Sequence, residues 1–289
     1  MGIARAMIKL LMREGKRESF TGNIITIGRQ DIYATLRELN EWAKELDFPL
    51  NLELQEQLCR LGNYNKNSRI NDEILFRSLR FDKVDSLDSN DFERCSIVHD
   101  LNTDLPVGLH NCFDLVFDGG TSEHVFNIPK VLENYHKMLK VGGRIIHASP
   151  TSNYVDHGFY MFSPTLFYDY YLANRWEIIE ALFICHSYRH DKRLWDIYRY
   201  TPGCLNSHSY GGLNKGLYAT FFIARKRADS TFNAPVQQGY YLKVWDNKTN
   251  ESWAKRIFRS LPGSLRGFIH YILTSIVPLR YYLKRVARY

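Results

Sequence analysis

The sequence predicts an α/β fold with an open, mostly parallel sheet, and three observations carry that prediction. Short apolar runs bounded by Gly, Asp or Asn recur along the chain and read as buried strands. Stretches with apolar residues at three and four spacing lie between most of them and read as amphipathic helices. Strands alternating with helices are the pattern of a parallel sheet, whereas the last two apolar runs follow one another without a helix and turn that end of the sheet antiparallel.

The first strand is Asn23 to Gly28, in "NIITIGRQD", and the helix after it, "IYATLRELNEWAKEL", sets Ile32, Leu36, Leu39 and Ala43 on one side. A polar stretch over about residues 51–80 reads as an insertion. "FDKVDSLD" is the second strand, ending near Asp88; "CSIVH" and "FDLVFD" are the third and fourth, both expected to be buried. "NIPKVLENYHKMLK" places Ile128, Val131, Leu132, Tyr135 and Leu139 on one helical face, and "VGGRIIHASP" is the fifth strand. "SPTLFYDYYLAN" is a helix with Ser163 as N-cap and Pro164 at the first helical position. "WEIIEALFICHS" and "LYATFFIARK" are the sixth and seventh strands, joined by a long aromatic and basic loop. The expected organisation is an α/β domain over residues 1–228, a linker over 229–252 and a basic amphipathic segment over 253–289.

With 289 residues, 45% of them hydrophobic, the chain can bury a sizeable core, and disorder is excluded as its ground state. Cys59, Cys95, Cys112, Cys185 and Cys204 are scattered without C-x-x-C spacing, which excludes a disulfide framework or zinc knuckle. The N-terminal apolar run is interrupted and has neither a cleavage site nor a myristoylation motif, so a cytoplasmic location is expected. The net charge of +7 is uneven: residues 253–289 carry eight Lys or Arg and no acid, leaving the body near neutral.

In an open α/β sheet, ligands sit at the carboxyl ends of the strands, where the strand order reverses. The loops there read "GRQ", "DSND", "DLNTDLP" and "DGGTSEHV". A carboxylate after the second strand suits the two hydroxyls of a ribose, and an acid after the third can accept from an adenine amino group.

"VDSLDS", "HDLNTDLP", "FDLVFDGGTSEHV" and "MLKVGGRIIHASP" occur in this order over about residues 83–150, and on them the chain resembles the class I S-adenosylmethionine-dependent methyltransferases. The resemblance implies a Rossmann-like seven-stranded sheet with helices on both faces, an antiparallel last strand, and S-adenosyl-L-methionine as cofactor. It implies that Asp88 with Ser89 binds the ribose, that Asp100, Leu101 and Asn102 flank the adenine, and that Asp118, Gly119 and Gly120 line the methionine side.

The sequence departs from the family at the first loop. Where the family carries Gly-x-Gly-x-Gly, which lets the backbone approach the cofactor, this chain keeps Gly28 and follows it with Arg29 and Gln30. Either Arg29 grips the cofactor carboxylate with two hydrogen bonds, or it is a surface arginine at a strand end. Glu123 and His124 are the catalytic candidates. With Thr121 as N-cap both fall in the first turn of a helix, where His124 is either a general base on an acceptor hydroxyl or a histidine packed under the loop.

The loop "HASPTSNYVDHGFYMFSP" offers Asn153, His157 and Tyr160 to a small-molecule or glycan acceptor. His147, Asp156 and His157 in it match no metal-ligand spacing, and no metal is expected. "YRHDKRLWDIYRY" is either a cover for the acceptor or a solvated loop. In the tail, Trp253, Ile257, Phe258 and Leu261 form one apolar stripe, and Leu265, Phe268, Ile269, Ile272, Leu273 and Ile276 a second. Such a segment either lies on an anionic membrane surface or packs on the body, and it is too short to span a bilayer. No nucleic-acid-binding motif accompanies the charge. The function expected is methyl transfer to a small polar acceptor such as a glycan or lipid-linked sugar; the alternative is a binding or scaffold protein that keeps the fold without catalysis.

Overall fold

The computed structural model describes residues 2–186, 194–208, 212–246, 257–258, 260–272 and 283–289. In chain order the elements are β1 (Gly2–Ile3), α1 (Arg5–Arg17), β2 (Asn23–Ile27), β3 (Asp31–Ile32), α2 (Leu36–Glu45), α3 (Leu52–Leu61), α4 (Asp72–Ser78), β4 (Lys83–Asp88), β5 (Ile97–Val98) and β6 (Phe113–Asp118). They continue with α5 (Ile128–Met138), β7 (Leu139–Ser152), α6 (Pro164–Ala173), β8 (Glu177–His186), β9 (Asp196–Arg199), β10 (Leu217–Arg225), α7 (Gly239–Asp246), α8 (Gly263–Tyr271) and β11 (Arg285–Arg288).

Strand alternation sends successive side chains to opposite faces, and both faces are covered. Ile24, Leu115, Phe117 and Ile146 enter one core with residues of α1, α2 and α4, while Ile25, Val116 and Ile145 enter a second core with residues of α5 and α6. The main sheet has the order β11-β9-β8-β10-β7-β6-β2-β4-β5. Strands β5, β4, β2, β6 and β7 are parallel, and β10 runs antiparallel between β7 and β8. The seven predicted strands are all present, and the last of them is the antiparallel one.

The sheet is nine-stranded rather than seven-stranded. β9 comes from the connection read as a loop, and β11 comes from the segment read as a tail. In β9 both faces are buried, with Ile197 in one core and Tyr198 in the other, so the alternation that usually marks a strand is missing. The third predicted strand shrinks to β5, whose Val98 is exposed, because it is the edge of the sheet.

The stretch over 51–80, which the sequence leaves open as a helical or loop insertion, is ordered as α3 and α4, capped by the Asn51 and Asn71 side chains, so the crossover from β2 to β4 is three helices. Helix α1 was not foreseen, because its buried face includes Lys9 and Glu14, which interrupt the apolar stripe. Glu14 is held by Arg144 from β7 at 2.7 Å, and Lys9 by Glu45 from α2 at 2.6 Å. Ser163 precedes α6 as predicted, but its side chain makes no capping bond.

The linker is partly docked, since Thr231 N donates to Asn174 O and Gly239 N to the Asp169 carboxylate. In the tail, α8 exposes Leu265 and Phe268, whereas Leu283 is buried and β11 completes the sheet edge, so the final residues pack on the body. Trp253, Leu273 and Ile276 lie outside the described residues. Among the described residues no helix is long and apolar enough to cross a membrane.

Candidate functional site

The chain runs from β2 outward to β4 and β5 and then returns to the other side of β2 with β6, so the switch point lies between the tips of β2 and β6. Gly28 follows β2 with φ +71, and a Cβ there would lie 2.9 Å from the Thr121 hydroxyl. That hydroxyl donates to Ile27 O at 2.6 Å and ties the two tips together. Gln30 folds back between them: its Nε2 donates to Ile27 O at 3.1 Å, and a Cβ on Gly119 would collide with its Oε1 at 2.5 Å. The Oε1 atom is buried and accepts no hydrogen bond.

Arg29 turns to Asp72, the first residue of α4, at 2.9 Å. Asp72 is buried and also accepts from Glu73 N and, at 3.5 Å, from Gln30 N. It is a positioning residue that sequence reading missed, because it sits within the stretch read as an insertion. The available signal was the "NDE" helix start, where an acid at the first turn is favoured. Asp72 of α4 thus holds the loop through Arg29 and Gln30 N.

Asp88, at the tip of β4, accepts from Ser89 N at 2.6 Å through Oδ1, while Oδ2 faces Gly28. Asp100 accepts from both the backbone and side chain of Asn102, which hold its pKa below the ordinary carboxylate value. Asn102 Oδ1 accepts from Asn127 N at 2.9 Å and so anchors the start of α5. Leu101 is buried in the second core, which leaves only its backbone to border a ligand.

Asp118 corrects an expectation. It is fully buried, and its carboxylate accepts from Thr121 N, Ser122 N, Ser122 Oγ and the His147 ring, the last at 3.0 Å. Burial pushes its pKa up, but these hydrogen bonds together outweigh it and hold the group below the usual value. Its side chain therefore organises the loop rather than pointing to the ligand face as expected. His147 leaves the acceptor loop for the same reason, since its other ring nitrogen meets Tyr171 Oη at 2.7 Å.

Glu123 and His124 lie in a short 3-10 turn, Ser122–His124, and not in the first turn of α5, which Asn127 caps. Thr121 makes no capping bond because its hydroxyl reaches β2 instead. The Glu123 carboxylate is fully buried with no hydrogen-bond donor, and burial, then the neighbouring Asp118, push its pKa up to about 8. Burial and then His157, rather than a helix dipole, hold His124 below the usual histidine value.

The acceptor loop folds onto this turn. Tyr160 N donates to Glu123 O and Tyr160 Oη to Phe126 O at 2.8 Å, while Gly158 passes so close that a Cβ would lie 2.8 Å from Glu123 O. The loop brings the His157 ring within 3.9 Å of the Glu123 carboxylate and 5.1 Å, centroid to centroid, from His124. Of the three expected acceptor ligands, His157 remains available. The Asn153 amide nitrogen clamps Asn214 O and Gly216 O, and the Tyr160 hydroxyl is bonded within the loop, so both serve loop structure.

Beside His157, at the carboxyl end of β7, lies a cavity of about 630 Å³ lined by Ser149, Pro150, Tyr154, His186 and Trp195 among others. Val155, which lines it, is 81% exposed. Elsewhere on the surface Phe126 and Phe159 are 70% and 66% exposed, with their rings edge to face. Trp195 and Ile197 show that the segment read as a cover is in part sheet and cavity wall, while residues 187–193 of it lie outside the described residues.

No family model matches the sequence, and no curated protein matches it. Solved structures do show likeness over about three quarters of the chain. One is the YcgJ protein from Bacillus subtilis (13% identity, 76% of this chain and 97% of that one, TM-score 0.38). A second is the 1,6-didemethyltoxoflavin-N1-methyltransferase of Burkholderia thailandensis, crystallised with 1,6-didemethyltoxoflavin and S-adenosylhomocysteine (10%, 76% of each chain, TM-score 0.38). A third is the 16S rRNA (adenine(1408)-N(1))-methyltransferase of Catenulisporales acidiphilia (8%, 76% and 91%, TM-score 0.34). The strand order and its switch point stand independently of these likenesses.

Proposed function

We propose that the chain is an S-adenosylmethionine-dependent methyltransferase acting on a small polar acceptor. The observation that carries this reading is the placement of Asp88 Oδ2 opposite Gly28, at the switch point of a sheet in which the antiparallel β10 lies between β7 and β8. When bound, the cofactor supplies an electrophilic methyl group on a sulfonium. The residues here fit its other functional groups. Asp88 is a hydrogen-bond acceptor for ribose hydroxyls. The buried Gln30 Oε1 lacks a donor, and an α-ammonium is one. Arg29, already oriented by Asp72, matches an α-carboxylate.

On the acceptor side, His124 is held below the usual histidine range and is therefore neutral at pH 7, able to take a proton from a hydroxyl. The cavity volume suits a sugar-sized acceptor, and its aromatic wall suits a sugar ring. The exposed side chains of Phe126, Val155 and Phe159 support an acceptor with an apolar carrier, as in a lipid-linked sugar, and the basic segment after residue 252 supports contact with an anionic membrane surface.

Calorimetric titration with S-adenosylhomocysteine tests the reading. The wild type should bind, Asp88→Ala should lose binding, and Arg29→Ala should weaken it by about tenfold or more. No binding to the wild type at about 1 mM ligand, an affinity of about −4 kcal/mol, would favour the scaffold alternative.

A further inference from the structure

We infer that Glu123, His124 and His157 form a binding site for a divalent transition-metal ion that opens onto the acceptor cavity. One carboxylate oxygen and one nitrogen from each ring lie within 4.8 Å of one another. Two imidazoles and a carboxylate are the donor set that suits zinc and its divalent neighbours, and three protein donors leave a position for an outside oxygen. Ligand bonds of about 2.0–2.1 Å place tetrahedral donors roughly 3.3 Å apart, so the widest separation in the group has to contract by up to about 1.5 Å.

An independent observation points to a cation. The Glu123 side chain is fully buried, faces the two rings, and neither of its oxygens receives a hydrogen bond. A buried carboxylate without donors is costly, and buried polar groups in folded proteins are nearly always partnered. Its neighbours do not supply the partner: Asp118 directs its own oxygens to Thr121, Ser122 and His147, and Tyr154 directs its hydroxyl to His186. A cation between Glu123 and the two rings would give the buried carboxylate the positive partner that its neighbours do not supply.

The backbone is arranged to bring these donors together. Tyr160 N on Glu123 O clamps the acceptor loop to the turn, and Gly158, which has no side chain, allows the approach that delivers His157. The sequence spacing hid the set, since Glu123 and His124 are adjacent whereas His157 arrives from the loop after the next strand. The ion would bind and polarise an acceptor oxygen. In that state His124 is a ligand, and it acts on the acceptor through the ion instead of as a free base.

This inference builds on the methyltransferase reading for its role and is tested apart from it. Protein stripped with EDTA is titrated with Co2+ while its visible absorption is followed, and S-adenosylhomocysteine affinity is measured in parallel. The wild type should develop the absorption of a nitrogen- and oxygen-bound Co2+ ion. His157→Ala, on an exposed loop, and Glu123→Gln should each bind at least about tenfold more weakly with unchanged S-adenosylhomocysteine affinity. Three results would overturn it: no Co2+ binding at about 1 mM, a thiolate charge-transfer band placing the ion on cysteine, or equal affinity in His157→Ala. Loss of S-adenosylhomocysteine binding alone would count against the cofactor reading and leave the ion site standing.

Discussion

The loop after β6 holds two fully buried carboxylates at its two ends, and their surroundings differ completely. Asp118, at the strand tip, accepts from two backbone amides, a hydroxyl and an imidazole, and its pKa is held down. Glu123, five residues on, accepts from nothing and is pushed up to about 8. Burial is common to both, so burial alone decides neither. Donors supplied by the protein make Asp118 a structural anion, and their absence makes Glu123 a group that waits for a proton, a ligand or an ion.

The largest effect is expected at the satisfied end. Asp118→Ala strands the Ser122 hydroxyl, the His147 ring and two amides, and should lower stability in urea by at least about 3 kcal/mol. A loss below about 1 kcal/mol would mean that the network carries no weight.

Next is the pH dependence, measured in EDTA so that no ion intervenes. The folded pKa of Glu123 lies above its unfolded value, so its contribution is complete below about 4.5 and is lost as pH rises through about 8. Asp118 has the opposite sign: its contribution is present above about 3.8 and is lost as pH falls through its depressed folded value. Glu123→Gln should therefore abolish a decline in stability between pH 5 and 8 whose slope is at most about 1.4 kcal/mol per pH unit. An identical slope in the variant would refute the assignment.

The smallest effect isolates the clamp. Tyr160→Phe removes the bond to Phe126 O and should cost about 0.5–1.5 kcal/mol. If the loop alone positions His157, the same variant binds Co2+ a few-fold more weakly; unaltered affinity would show that the backbone bond to Glu123 O suffices.

The parallel half of the sheet was legible in the sequence because β2, β4, β6 and β7 are short segments rich in Ile, Leu, Val and Phe that are bounded by Gly, Asp or Asn. Asp88 and Gly28 could be placed for the same reason, since a strand tip fixes the position of its last residue. What escaped was what depends on distant packing. Asp72 reaches the first loop from a helix 42 residues on, and Asp118 has the sequence of a ligand-facing acid but points into a network completed by His147 from the next strand. β9 and β11 escaped because they are four-residue strands, DIYR and RVAR, each begun or flanked by charged side chains, so no apolar run or alternation marks them. Glu123 and His124 lie in a 3-10 turn and not in the first turn of an α-helix, because the Thr121 hydroxyl, which resembles a cap in the sequence, bonds to Ile27 O.

The antiparallel β10 has one more consequence, which concerns how such a molecule can diversify. Because it runs against its neighbours, its first residues lie beside the last residues of β7, and Leu217 and Ala219 near its start line the cavity beside His157. Replacements there can alter what enters the cavity while the tips of β2, β4 and β6 stay as they are. On the proposed reading the sheet thereby keeps the groups that would hold the reagent apart from the wall that would choose its client, and a library confined to Leu217 and Ala219 is the place to seek altered acceptor choice.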